Sequence, residues 1–317
     1  MKPFFIASPC MALLFLFILG LTPPVARAET LNYGNYQFIY NRGDSLFVTG
    51  LLKKIQPGLA KIEHFFGYEP VSVTTIYITR SERQYNKFSR NGLPEWSQAV
   101  AFGREKIVVL KIIGADDIKK APEILLHELV HIYFAERFPP RRIPNWLNEG
   151  LAQYLSGKRL SLQDKVFLAE SMSAKKLIGL NGLDTLLTFS RPRARLAYIE
   201  ALSAVDYFIR IHSYDTLREL VKSLRTQRSL NKAFISATGS DYIDFEAGWY
   251  AWLDENFRWL LVLNIDNLLW MTMGLLALLA IAVIRWRNRR KLAQWQDEEI
   301  PWERENLQRN DDDDNET

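Results

Sequence analysis

The chain has 317 residues, of which 48% are hydrophobic, and its 40 basic and 36 acidic side chains leave a formal net charge of only +4. This composition is typical of a folded protein with room for one sizeable domain or two small ones. A charge so close to balance, with no basic patch interleaved with aromatic residues in the central region, excludes nucleic acid as an expected partner.

The N-terminus has the three parts of a secretory signal peptide. Lys2 supplies a positive charge, Met11 to Leu21 form an apolar run, and Ala26-Arg27-Ala28 gives the small-x-small cleavage pattern. We therefore predict that residues 1–28 are removed, an uncleaved anchor helix being the alternative. The only cysteine, Cys10, would leave with this peptide, so the exported part is expected to fold without disulfides.

A second apolar stretch lies near the C-terminus. Residues 268–284 read LLWMTMGLLALLAIAVI and carry no charge, which predicts a transmembrane helix over residues 266–284. Five basic residues follow within 285–291, so the positive-inside rule assigns the polar tail, residues 285–317, to the cytoplasm. The preceding domain is then expected outside. A cysteine-free mature chain without a glycosylation sequon in its exported part favours a bacterial periplasm or cell surface.

Residues 29–118 alternate between strand and helix patterns and are predicted to form an α+β subdomain with a small mixed sheet. The expected elements are a strand at Tyr36–Tyr40, a helix at Leu46–Phe66 ending at Gly67, a strand at Val71–Thr79, and a β-hairpin made by Gln98–Phe102 and Lys106–Ile113.

Residues 119–259 read as helices and are predicted to form a second, helical subdomain. One amphipathic helix is expected over Pro122–Arg137, with Pro122 in its first turn, and another from Pro144 to about Ser156. Helical patterns continue to about Trp259, interrupted at glycines and at an arginine cluster.

The segment His127-Glu128-Leu129-Val130-His131 lies within the first of these helices. Residues four apart share one helix face, so His127 and His131 can bind a single ion, and imidazole is a preferred ligand of catalytic Zn²⁺. Glu128 is rotated by about a third of a turn from His127. It can therefore reach a water on the metal without ligating the metal, as a general base requires.

The pattern alone is moderately specific, and two histidines that merely share a helix are the alternative. The further histidine that metzincins use is missing, since Phe134 and Arg137 occupy the corresponding positions. A following helix instead carries Trp146-Leu147-Asn148-Glu149-Gly150. With HELVH, this WLNEG segment resembles the gluzincins, particularly the peptidase-MA-like domains related to zinc aminopeptidases and thermolysin.

The resemblance covers about residues 36–253, although only the zinc motifs are specific to the family. It implies a zincin-like fold, one Zn²⁺ per chain, and Glu149 as the third ligand beside His127 and His131. Members also place a Tyr or His donor opposite the catalytic glutamate to stabilise the oxyanion. Tyr198 is our candidate because related domains carry a similar Ala-Tyr pair, with His212 as the other. A core tyrosine and a solvated helix-end histidine are the respective alternatives.

Two departures from the family pattern change what we expect of zinc binding and of substrate specificity. Gln153 occupies the position where thermolysin-like enzymes place a carboxylate that orients a zinc histidine. The Gly-x-Met-Glu-Asn segment that binds a free amino terminus in zinc aminopeptidases is also missing, because residues 92–96 read GLPEW. Endopeptidase action is therefore preferred to exopeptidase action, with an edge strand of the hairpin available to pair with the substrate backbone.

The resulting hypothesis is a single-pass zinc metallopeptidase that cleaves a peptide or protein on the extracytoplasmic side of a membrane. The main alternative is an inactive peptidase fold that serves as an interaction module at the membrane, although an intact Glu128 argues against it. Hydrolysis of a non-peptide amide is a weaker third option that no residue selects.

Overall fold

The computed structural model describes residues 28–89, 97–140, 142–183, 189–263 and 265–313. All of the predicted signal peptide except Ala28 lies outside these ranges. The chain divides into two compact units, one ending at Asp254 and one covering Glu255–Thr317. The proposed boundary between a sheet subdomain and a helical subdomain near residue 118 stays a prediction.

The first unit begins with a five-stranded mixed sheet in the spatial order β1-β2-β3-β5-β4. Its strands are β1 Ala28–Tyr33, β2 Tyr36–Asn41, β3 Thr74–Thr79, β4 Ala99–Phe102 and β5 Ile107–Lys111. The central pairs β2–β3 and β3–β5 are parallel, whereas β1–β2 and β4–β5 are antiparallel hairpins at the two edges. The mixed sheet that the strand patterns predict is confirmed, and β4 is an edge strand.

The helices are α1 Ser45–Phe66, α2 Glu82–Phe88, α3 Ala115–Arg137, α4 Asn145–Leu155, α5 Leu162–Ser173, α6 Arg191–Ile211, α7 Tyr214–Thr226, α8 Leu230–Thr238, α9 Tyr242–Phe257 and α10 Ile265–Asp313. Short 3-10 turns cover Arg42–Asp44 and Arg258–Leu263. Helices α1 and α2 lie between strands of the sheet in the chain, and all elements after β5 are helical among the described residues.

The sheet packs on helices through side chains that are in register across the strands. Phe38 pairs with Ile76, and Ile76 pairs with Val108 on β5, and all three side chains are fully buried. Helix α1 contacts β2, and α3 contacts β4 and β5. Helix α3 therefore lies beside the β4 edge of the sheet, and the apolar row contributes to the core that the sheet forms with its helices.

The sequence patterns miss two elements and misplace two starts, because β3 begins at Thr74 and not at Val71, and α3 begins before Pro122. Strand β1 and helix α2 were not predicted, and β1 has a mostly exposed pattern that gives little periodic information. Helix α3 begins at Ala115, so Pro122 lies inside the helix and not in its first turn. The earlier start is stabilised because the Asp117 carboxylate accepts hydrogen bonds from the backbone N–H groups of Ile113 and Gly114.

Helix α4 packs closely against α6 at a glycine. A Cβ atom added to Gly150 would lie 2.4 Å from the carbonyl oxygen of Ala201 and 2.6 Å from a methyl group of Val205. The two helices can approach this closely only because position 150 has no side chain. Since Gly150 follows Glu149 directly, this contact also fixes where the Glu149 carboxylate lies.

The second unit contains the long helix α10. Within it, Leu269–Leu292 is long and apolar enough to cross a membrane, and none of this segment is buried. By length and composition alone this is weak support for the predicted membrane span.

Replacing Gly150 with alanine is expected to destabilise the first unit, because the new methyl group overlaps the α6 backbone. The expected loss is about 1–3 kcal/mol in free energy of unfolding, measured by chemical denaturation. Gly50→Ala is the matched control: Gly50 is also helical but has no atom near its Cβ position, so the substitution should be neutral or stabilising by up to about 1 kcal/mol. Equal stability changes in the two variants would contradict the packing argument.

Candidate metal centre

Helix α3 supplies two imidazoles to one half-buried site. His127 and His131 lie one turn apart on the same helix face, and their ring centroids are 4.8 Å apart. The opposite faces of the same turns are anchored in the core by fully or nearly fully buried side chains: Leu125, Leu126, Leu129, Val130 and Ile132. Burial of this apolar stripe leaves the histidine face directed towards α4.

Helix α4 supplies the carboxylate. Pro144 stands before its first residue, and Trp146, Leu147 and Leu151 are buried, which orients the helix. Glu149 is thereby directed at the two histidines. The structure thus brings together His127, His131 and Glu149, with one donor atom from each within 4.8 Å of the others.

The separations of these atoms fit a tetrahedral metal site. Nε2 of His127 lies 3.2 Å from Nε2 of His131, and Oε2 of Glu149 lies 3.3 Å and 3.7 Å from these two nitrogens. Two ligand atoms about 2.1 Å from Zn²⁺ at a tetrahedral angle are about 3.4 Å apart. Two imidazoles and one carboxylate at this spacing therefore match the donor set of a catalytic zinc site, which leaves a fourth position for water or substrate.

Asn148 orients one of the histidines. Its Oδ1 atom lies 3.0 Å from Nδ1 of His131. An amide oxygen can only accept a hydrogen bond, so Nδ1 carries the proton and the Nε2 lone pair of His131 is free to bind a metal. The residue next to Glu149 thus fixes the tautomer of a proposed ligand.

Glu128 lies beside this cluster, next to the edge of the sheet. The pKa of its carboxyl group is raised to about 7 overall: burial raises it most, His131 lowers it, Glu149 raises it, and a hydrogen bond from the Ala101 backbone lowers it. A carboxyl group with a pKa near neutrality can both accept and return a proton at physiological pH. The Glu128 carboxyl group therefore lies beside the cluster with a pKa suited to proton transfer, and its role as a general base stays a prediction.

The pKa of Glu149 changes in the other direction. Burial raises it, but the neighbouring imidazoles of His131 and His127 outweigh burial, so the net pKa lies below the ordinary value. Glu149 is therefore ionised at neutral pH, which is the form that binds a cation.

Tyr198 on α6 lies on the far side of His127, with ring centroids 6.3 Å apart. Burial raises the pKa of its phenol well above the ordinary value, and the carboxylates of Glu149 and Glu128 raise it further. The phenol therefore stays protonated and can donate a hydrogen bond into the site. His212, the other candidate, is the residue after α6, and its ring lies 5.0 Å from that of Phe208 in a tilted arrangement, near the opposite end of α6 from its first turns.

Gln153 does not orient a histidine. Its side-chain nitrogen donates to the backbone oxygen of Tyr198 at 2.7 Å and to that of Glu149 at 3.3 Å. It therefore joins α4 to α6 beneath the site. The orienting group for His131 is Asn148, which the sequence analysis did not single out, although its place directly before Glu149 was a usable indication.

These helices and the sheet edge define a zincin-type metal site, in which a His-x-x-x-His helix faces a carboxylate on the next helix. The family model of the Peptidase MA superfamily matches residues 54–255, which is most of the chain and includes the whole site. The chain belongs to this superfamily. Among curated proteins, none matches it significantly.

Two of the solved structures to which the chain is similar are as follows. An aminopeptidase N family protein from Idiomarina loihiensis is 14% identical, with a TM-score of 0.44 over 69% of this chain and 45% of that one. An M1 zinc metallopeptidase from Deinococcus radiodurans, solved as a mutant bound to a Tyr-Ser-Ala substrate, is 13% identical, with a TM-score of 0.40 over 72% and 51%. The chain thus spans about half the length of these proteins, and its assignment rests on the family match.

Replacing Asn148 with alanine is expected to weaken zinc binding about 10- to 100-fold, because the His131 ring loses the hydrogen bond that fixes its tautomer. Zinc affinity would be measured by competition with a chelator of known affinity. Asn148→Asp keeps an accepting oxygen in the same place and is expected to retain the wild-type affinity or exceed it. Equal affinities of the alanine variant and the wild type would contradict this role for Asn148.

Proposed function

We propose that the chain is a zinc-dependent metalloendopeptidase, tethered to a membrane by α10, with its catalytic domain on the extracytoplasmic side. The observation that carries the catalytic part is the convergence of His127, His131 and Glu149 beside Glu128, in a chain of the Peptidase MA superfamily. The donor set and its spacing support zinc as the metal.

When bound, zinc would polarise the scissile carbonyl and lower the pKa of a coordinated water. His127, His131 and Glu149 would hold the ion. Glu128 would accept a proton from the attacking water and return it to the leaving amine, a role supported by its near-neutral pKa. Tyr198 would donate a hydrogen bond from its phenol to the oxygen that becomes negative in the transition state.

The edge strand β4 supplies backbone groups that an extended substrate could use. Lys111 donates to the Gln98 carbonyl, and hydrogen-bonded and non-hydrogen-bonded pairs alternate in an antiparallel ladder. Ala99 and Ala101 therefore direct their backbone groups away from β5. The hydrogen bond between Ala101 and Glu128 is consistent with this, because it brings the outer edge of β4 to the proposed base.

This arrangement supports endopeptidase action, since backbone pairing along β4 needs no free chain end. Residues 92–96 do not match the segment with which zinc aminopeptidases bind a free amino terminus, and this also favours endopeptidase action. These five residues lie outside the described part of the chain.

The membrane part of the proposal rests on the exposed apolar helix and on its flanking charges. Leu269–Leu292 has the length and composition of a span, and basic residues cluster at 285–291. With the export signal predicted at residues 1–28, these features support an outside domain and a cytoplasmic tail.

The catalytic proposal is tested with the full-length chain, purified in detergent and loaded with zinc, on casein and a mixed peptide library. Glu128→Gln is expected to bind zinc as the wild type does and to lose about 10²- to 10⁴-fold in turnover, because it cannot accept a proton. Removing zinc with a chelator should abolish cleavage, and adding zinc should restore it.

Glu123→Gln is the matched control, since Glu123 is an exposed glutamate on the same helix and should be dispensable. Tyr198→Phe should lower the turnover number with little change in KM if the phenol acts in the transition state. A wild-type chain that binds zinc and cleaves nothing would favour the interaction-module alternative. A chain that does not bind zinc would contradict the metallopeptidase proposal.

The topology is tested with single cysteines in a Cys10→Ser background. A cysteine at Lys232, which is exposed on α8, should react with a membrane-impermeant maleimide in intact cells or spheroplasts. One at Asn310 should react only after the membrane is permeabilised. Labelling of the tail in intact cells, or recovery of the chain in the soluble fraction, would contradict the proposed orientation.

A further inference from the structure

A buried tyrosine beside the edge strand β4 is not used by the mechanism above. Tyr85 lies on α2, and its side chain is only 2% exposed. Its hydroxyl oxygen lies 2.8 Å from Oγ of Ser97, and Ser97 in turn donates to the carbonyl oxygen of Ala99 at 2.8 Å. These three groups form a small network, the Tyr85 network, that runs from α2 to the first residue of β4.

The directions of the hydrogen bonds in the Tyr85 network follow from its last member. A carbonyl oxygen can only accept, so Ser97 donates its one hydroxyl hydrogen to Ala99, and the phenol must then donate to Ser97. The pKa of this phenol is raised to about 12 overall: burial raises it most, the bond to Ser97 lowers it, and the carboxylates of Glu128 and Glu82 raise it. The phenol is therefore a donor at physiological pH.

Lys111, the last residue of β5, holds the Tyr85 ring in place. Its ammonium group lies 5.0 Å from the centroid of the ring and donates to Oε1 of Glu82, the first residue of α2, at 3.0 Å. The backbone N–H of Lys111 donates to the Gln98 carbonyl. The same residue thus joins α2 to the β4–β5 hairpin, and the phenol meets Ser97 in a fixed geometry.

The Ala99 carbonyl, where the Tyr85 network ends, belongs to the outer edge of the sheet. Ala99 lies opposite Leu110, next to the hydrogen-bonded pair of Gln98 and Lys111, so its backbone groups are directed away from β5. A carbonyl oxygen has two lone pairs, and the bond from Ser97 leaves one of them for a substrate N–H. The network therefore orients an acceptor without blocking it.

The spacing along β4 specifies which substrates could use this acceptor. Ala99 is two residues before Ala101, whose backbone donates to Glu128. Two residues of an extended strand cover about 6.8 Å. A peptide with its scissile bond at Glu128 would thus reach Ala99 only if it continued for about two residues on that side of the bond.

We propose that Tyr85 and Ser97 are positioning residues for an extended peptide substrate, because they hold the outward Ala99 carbonyl in the orientation that accepts a substrate N–H. This inference rests on the proposed peptidase function and deepens it, since a short amide would gain nothing from Ala99. The substrate bond is made in the ground state and the transition state alike. Its loss therefore raises KM and leaves the turnover number nearly unchanged.

The first test uses Tyr85→Phe, which keeps the buried ring and removes only the hydroxyl group. With the zinc-loaded full-length chain and a peptide that it cleaves in the library, KM should rise about 3- to 10-fold, as expected for one hydrogen bond, and the turnover number should change less than about two-fold. Ser97→Ala should act in the same way. The double variant should be no worse than either single variant, because both changes break the same network.

Shortened peptides test where the lost binding is made. The cleaved peptide is compared with two versions of it, each ending one residue beyond the scissile bond on one side. One truncation should raise KM of the wild type, and Tyr85→Phe should have no further effect on that peptide. A rise in KM by the same factor for all three peptides, or a loss confined to the turnover number, would overturn the positioning role and leave the peptidase function standing.

Two variants serve as controls. Ser97→Thr keeps the hydroxyl group and should retain the wild-type KM. Tyr242→Phe removes the hydroxyl group of another buried tyrosine, which lies on α9 and donates to Oδ1 of Asn181 at 3.3 Å, and it should leave both kinetic constants unaltered. Thermal denaturation shows whether each variant is folded. An effect of Tyr242→Phe as large as that of Tyr85→Phe would also overturn the proposal.

The second test needs no cleavage. Binding of N-acetyl-tetra-alanine amide and of N-acetyl-alanine amide to the zinc-loaded Glu128→Gln chain is measured by NMR titration, with and without Tyr85→Phe. The added change should weaken binding of the tetra-alanine compound about 3- to 10-fold and leave binding of the single alanine unaltered. This result in a chain that cleaves nothing would support the positioning role and count against the peptidase. Equal binding of the tetra-alanine compound to both chains would overturn the positioning role, whatever the activity.

Discussion

The position of one carboxylate determines the rest of the site. Two histidines four apart on α3 face the same direction by helix geometry alone, but two imidazoles do not complete a catalytic zinc site. Glu149 reaches them because α4 lies against α6 at Gly150, with no side chain between the helices. Gln153 reinforces this contact by hydrogen bonding to backbone oxygens of both helices. The distances of 3.3 Å and 3.7 Å from Oε2 of Glu149 to the two imidazole nitrogens thus depend on how closely the helices pack.

The same packing gives opposite pKa shifts to two carboxyl groups that lie near each other. Burial opposes ionisation of both Glu128 and Glu149. For Glu149 the two imidazoles outweigh burial and keep the carboxylate charged, whereas for Glu128 burial dominates and the pKa rises to about 7. One glutamate is therefore suited to bind a cation and the other to transfer a proton. The carboxylates of Glu149 and Glu128 both raise the pKa of the Tyr198 phenol, so the phenol stays protonated and can donate a hydrogen bond.

The β4 edge lies against the helix that carries the metal donors. Hydrogen bonding with β5 leaves the outward backbone groups of Ala99 and Ala101 unused by the sheet, and Ala101 lies at Glu128. The strand ends at Phe102, and Gly103 beyond it packs on Ala135 of α3. The edge strand and the two histidine donors are thus held together by the same helix.

The sequence by itself determined the features that depend on local spacing and composition. These are the two histidines on one helix face, the adjacent Glu128, a Glu149 candidate on the next helix, the hairpin β4–β5, and an apolar segment near the C-terminus. The start of α3 predicted from the sequence is wrong, because capping by Asp117 outweighs the usual preference of proline for a first turn. The sequence patterns also miss β1, whose exposed residues carry no clear period.

Only the tertiary structure decided which residues meet across elements. Tyr198 is 49 residues beyond Glu149 in the chain, and its place beside His127 follows from the docking of α6 on α4. Gln153 is one turn from Glu149 yet bonds to the Tyr198 backbone, while Asn148 orients His131. Helical periodicity specifies which face a side chain lies on, but the partner on that face depends on how closely the neighbouring helix packs.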